Sequence, residues 1–86
     1  MLTMKAITLR ELRSAAQAVG AKVEDDSAGR WNVLQIIAPN GKQWKDGGCR
    51  SLKVEWPQGQ SAQDAYRDAM NRIRVGLDVA DPENMD

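Results

Sequence analysis

The residues of this chain that could do chemistry lie in three places. Asp25 and Asp26 are adjacent carboxylates, a pairing used for acid–base work or for holding a hard cation. Cys49 ends the run Asp46-Gly47-Gly48-Cys49, where a thiol follows two glycines whose backbone could form an anion nest. Lys42, Lys45, Arg50 and Lys53 crowd four cations into one short stretch, a pattern that can contact phosphates.

Each group lacks the companions its chemistry needs. The chain contains no histidine, which excludes Ser-His-Asp and Cys-His catalysis, histidine-ligated metals and a histidine pH switch. Cys49 is the single cysteine, so neither an intrachain disulfide nor a cysteine-rich zinc site can form. With only Lys45, Arg50 and Lys53 near it in sequence, it reads as a small packed side chain. No acidic ligands follow Asp25 and Asp26 at EF-hand spacing, and the turn Asp26-Ser27-Ala28-Gly29 leaves them in water. Gly47-Gly48 opens no helix with a Gly-x-Gly pattern and reads as a bulge or tight connection. The four cations read first as charges that keep exposed strands soluble. The chain is therefore expected not to be an enzyme, and to hold no catalytic residue, cofactor or metal.

The elements that would carry these residues centre on Trp31 to Trp56, which holds all three tryptophans. Asn40-Gly41 between apolar runs predicts a β-hairpin with a type I′ turn, placing Ile37 opposite Trp44. Side chains alternate along a strand. Trp31, Val33, Ile37 and Trp44 then share one face, with Leu34, Ile36 and Ala38 on the other. Both faces are apolar. The first is the expected core, because it carries the larger rings and leaves Gln43 and Lys45 in water. Leu34 and Ile36 are then expected outside. The later strand is simpler, with Leu52, Val54 and Trp56 alternating against Ser51, Lys53 and Glu55.

Helices flank this segment. Thr8 and Glu11 form a capping box, with Ile7 and Leu12 as its staple. Leu9, Leu12, Ala16 and Val19 make an apolar stripe, and Gly20 suits the C′ position. Ala21–Asp25 predicts a short strand with Val23 inward. Ser61 with Asp64 marks a second helix start, and Ala62, Ala65, Tyr66, Ala69, Met70, Ile73 and Leu77 recur along a helix from Ala62 to about Leu77. Asp68 and Arg72 form an i,i+4 pair in the favourable order.

The expected fold is α+β, in the order α-β-β-(β)-β-α, with an antiparallel sheet of three to four strands and both helices on one face. Residues 1–77 form one domain and 78–86 an acidic disordered tail. At 86 residues such a domain buries about 60–65% of its unfolded surface, so its core is one sheet face and one stripe from each helix. Formal net charge is zero, which opposes a general attraction to nucleic acid or anionic membrane. Met1–Ile7 is too short and too weakly apolar for a signal peptide, and no apolar run would span a bilayer. A soluble cytoplasmic protein is expected.

The element order resembles that of the double-stranded-RNA-binding domain. That family meets RNA through its first helix, a Pro-His loop between the first strands, and a lysine-rich start of the last helix. Here the loop is Asp26-Ser27-Ala28-Gly29-Arg30 and the helix opens Ser61-Ala62-Gln63-Asp64, with Arg67 its first base. The segments Trp44-Lys45-Asp46-Gly47-Gly48-Cys49 and Leu52-Lys53-Val54-Glu55-Trp56 are similar to small uncharacterised phage and prophage proteins, which implies a short accessory protein. The leading expectation is a non-catalytic interaction protein. It would bind itself as a homodimer, or a protein partner, through the open sheet face, with Leu34, Ile36, Lys45 and Lys53 at the contact. Nucleic-acid binding through the basic hairpin Lys42–Lys53 is second.

Overall fold

The computed structural model describes residues 6–80. Helix α1 (Leu9–Ala18) begins as its sequence dictates: Thr8 is the N-cap, and its hydroxyl accepts the Glu11 N–H at 3.1 Å. It ends in a Schellman arrangement, the Gly20 N–H donating to the Gln17 carbonyl at 2.9 Å and the Ala21 N–H to the Ala16 carbonyl at 2.9 Å. Strands β1 (Lys22–Asp25), β2 (Trp31–Ile37), β3 (Lys42–Trp44) and β4 (Ser51–Pro57) follow, then helix α2 (Gln63–Val75) and a last short strand β5 (Leu77–Val79). At the α2 start the N-cap position falls to Ala62 and not to Ser61, whose hydroxyl, one residue earlier, accepts the Gln63 N–H at 3.2 Å.

The α+β class and the order of helices and strands are as expected. Strands β1, β2 and β4 form one antiparallel sheet with β2 in the middle, while β3 and β5 form a separate antiparallel pair. Leu12 and Ala16 of α1 and Ala69, Met70 and Ile73 of α2 belong to the same buried cluster as Leu34, Ile36, Leu52 and Val54. Both helices therefore cover one face of the sheet, and the other face is left open.

The hairpin differs from its expectation. The Lys42 N–H donates to the Pro39 carbonyl at 3.0 Å, so a tight turn does form at Asn40-Gly41. Gly41 has φ +81°, but among the described residues no non-glycine residue has positive φ, so Asn40 does not. That is the sign pattern of a type II turn, not the type I′ turn that matches the twist of a hairpin. The chain accordingly splays away after the turn. The place beside β2 is taken by β4, whose ladder extends outward through the Ala38 N–H to the Arg50 carbonyl at 2.8 Å.

The core face also has to be corrected. Leu34 is 2% exposed and Ile36 is wholly buried, whereas Trp31 is 50% exposed. The reason is register. Leu34 stands opposite Val54 and Ile36 opposite Leu52, and directly paired residues share a face. The plain alternation of β4 thus chooses the face of β2. Trp44 is fully buried as expected, but it reaches the core from β3, where its indole N–H donates to the Ile36 carbonyl at 2.9 Å.

A strand, β5, stands where α2 was expected to end and the tail to begin. Lys42, Gln43 and Trp44 pair with Val79, Asp78 and Leu77, the Lys45 N–H donates to the Gly76 carbonyl at 3.1 Å, and the Ala80 N–H to the Gly41 carbonyl at 2.9 Å. The rest of the expected tail lies outside the described residues. Gly76 makes the direct passage from α2 to β5, with φ +98° and ψ −169°, a region essentially closed to residues with a Cβ. A Cβ there would meet nothing within 4 Å, so the penalty is one of backbone conformation alone. Gly76→Ala is expected to cost about 1–3 kcal/mol in urea unfolding, and a D-alanine placed there by semisynthesis should cost nothing.

Candidate interaction surface

The open face of the three-stranded sheet is built by alternation. Strand β2 contributes Trp31, Val33, Gln35 and Ile37; β1 contributes Lys22 and Glu24; β4 contributes Ser51, Lys53, Glu55 and Pro57. The apolar column of β2 runs down the middle with charges on either side. Trp31 stands opposite Pro57, Val33 opposite Glu55, and Ile37 lies between Lys22 and Ser51. Val33 is only 7% exposed, yet it lies outside the cluster beneath the helices, as its place on the far face requires.

Gln35 fixes the centre of this face. Its amide N–H donates to Asp26 Oδ2 at 3.0 Å, and its Oε1 accepts the Ser51 hydroxyl at 3.1 Å, which ties the β1–β2 turn to β4. That turn is itself braced. Ser27 Oγ accepts the Val33 N–H at 3.0 Å, and Asp25 Oδ1 accepts the Ser27 N–H at 2.9 Å. Hydrogen bonds from the Ser27 side chain first, then from its backbone, hold the Asp25 carboxyl below its ordinary value, with Arg13 adding a weaker attraction. Asp25 and Asp26 therefore point to different partners and act in turn formation.

The four residues expected at the contact do not come together. Leu34 and Ile36 are interior. Lys45 is exposed in the turn after β3, away from the three-stranded sheet. Lys53 alone stands on the open face, opposite Gln35. The basic stretch is likewise divided: Lys42 belongs to the β3–β5 pair, and the Arg50 guanidinium is engaged with Asn40 Oδ1 at 2.6 Å and the Ala38 carbonyl at 3.4 Å. Arg50 thus braces the β2–β3 turn.

The Gly-Gly-Cys stretch is equally structural in its contacts. The Cys49 thiol is half-buried against the core and donates to the Ser51 carbonyl at 3.2 Å. Arg72 of α2 reaches over this loop to Asp46 Oδ2 at 3.1 Å, nearer than its expected i,i+4 partner Asp68 at 3.9 Å. Gln63 holds the other end of α2 to the segment before α1. Its side-chain amide accepts the Ile7 N–H and donates to the Ile7 carbonyl, both at 2.8 Å.

Trp31 is the largest hydrophobic side chain left exposed among the described residues. Compared with models of known protein families, with curated proteins and with solved structures, the chain has no match. Among the described residues no helix is long and apolar enough to cross a membrane. Trp31 was hidden in the sequence because both faces of β2 are greasy. The signal that finds it is β4, whose single apolar face must be the inner one.

Proposed function

We propose that the protein is a small non-catalytic interaction module that docks a protein partner on the open sheet face, with Trp31 as its anchor. The observation that carries this reading is the 50% exposure of a tryptophan at the head of the apolar β2 column, on the face opposite both helices. A soluble domain has little reason to leave its largest side chain in water, and tryptophans of this kind dominate interface energetics. The rigid backing of β1 and β4, together with the Gln35 bridge, presents the column in one conformation, which lowers the entropy lost on docking.

The test is capture of binding proteins on immobilised wild-type chain, Trp31→Glu and a charge control, Lys45→Glu. A genuine partner should be retained by wild type and by Lys45→Glu, and weakened roughly thirtyfold or more on Trp31→Glu, as befits a buried aromatic anchor. Undiminished retention on Trp31→Glu would remove the open face as the docking site.

A further inference from the structure

The sheet has a second unpartnered feature, its β4 edge. Strand order β1-β2-β4 leaves the outer side of β4 without a neighbouring strand among the described residues. Which backbone groups face outward follows from the ladder. The Val33 carbonyl accepts the Asp26 N–H and its N–H donates to Ser27, so Val33 points toward β1. Asn32, Leu34 and Ile36 therefore point toward β4, as Ala38 does in bonding Arg50. Their partners Trp56, Val54 and Leu52 point inward, and Ser51, Lys53, Glu55 and Pro57 point outward. At the ends of the strand the outward carbonyls are already used, that of Ser51 by the Cys49 thiol and that of Pro57 by the Gln60 N–H at 3.3 Å. Lys53 and Glu55 remain between them.

We infer that this edge pairs antiparallel with the β4 edge of a second copy, about a twofold axis at Val54. In that register Lys53 of each copy stands opposite Glu55 of the other, and each such pair exchanges both backbone hydrogen bonds. On the open face this sets opposite charges across both pairs. On the helix face it sets Leu52 opposite Trp56 and Val54 opposite its own counterpart. Alternating charges on an edge usually discourage pairing. Here they choose among registers, because the two nearest symmetric alternatives, centred on Lys53 or on Glu55, put like charges face to face. A formal net charge of zero leaves no long-range repulsion between copies. The product is a continuous six-stranded sheet with both helix pairs on one side and both Trp31 columns on the other.

The edge and the open face can fail separately. Light scattering on the full chain over a concentration series is expected to reach twice the 9.5 kDa of one chain. Lys53→Glu, exposed and harmless to the fold, should weaken the dimer about tenfold or more by setting glutamates opposite each other. Lys53→Glu combined with Glu55→Lys should restore wild-type association. A wild type that stays monomeric at millimolar concentration, or a double variant no better than the single one, overturns the edge pairing. A dimer dispersed by Trp31→Glu and indifferent to Lys53→Glu would also overturn it, by placing self-contact on the open face.

Discussion

Ile36→Lys is expected to abolish folding, while Trp31→Lys on the same strand leaves the protein folded. Ile36 is wholly buried between the helices and the sheet, and its neighbours Leu34, Leu52 and Trp44 are all apolar members of the same cluster. An ammonium placed there finds no partner. Either it stays charged at a cost of several kcal/mol or it loses its proton. Added to the lost packing, the penalty reaches about 5 kcal/mol or more, against a total stability of about 4–13 kcal/mol for a chain of this length. Trp31 is already half in water, so its replacement should cost only about 1 kcal/mol. Far-ultraviolet circular dichroism and urea titration of the two variants check this. Equal tolerance of lysine at both positions would contradict the burial of Leu34 and Ile36.

Trp44→Ala is expected to destabilise the protein by about 3–5 kcal/mol, the range for emptying a buried aromatic site. Trp44 does more than fill volume. It is the buried residue of β3, and its indole N–H satisfies the Ile36 carbonyl at 2.9 Å, joining the small β3–β5 pair to the main sheet. Its backbone N–H also donates to the Cys49 carbonyl at 2.7 Å, closing the loop that returns to β4. Trp44→Phe keeps most of the ring but removes that donor, while the Ile36 carbonyl keeps its ladder partner on β4. It should fall between wild type and alanine, with about 0.5–1.5 kcal/mol lost. Hydrogen exchange should show the amides of Lys42–Trp44 and Leu77–Val79 losing protection before those of β2. If Trp44→Ala unfolds at the wild-type urea midpoint, Trp44 is not the anchor of the second sheet.

Much of this fold was legible in local chemistry. Thr8, Glu11, Leu12 and Gly20 mark α1 through interactions that reach no farther than a turn or two, and they behave as such patterns should. The two-period alternation of Leu52, Val54 and Trp56 identifies a half-buried strand, and the stripe Ala69, Met70, Ile73 identifies the inner side of α2. Neither needs knowledge of a distant partner. The strand at Leu77–Val79 was not legible, because Leu77 fits the end of the α2 stripe and the two residues after it are too few to show a period. They are extended only since Lys42–Trp44 offers them a ladder.

The sequence by itself determined the α+β class, the element order as far as α2, the ends of α1 and the absence of histidine, since each depends on residue type and near-neighbour spacing. Tertiary structure decided which strand stands beside β2. That choice turned on the φ of Asn40 and on β4 claiming the place beside β2, quantities set between segments and not within one. Once β4 occupied that place, period-two geometry carried Leu34 and Ile36 inward and left Trp31 in water.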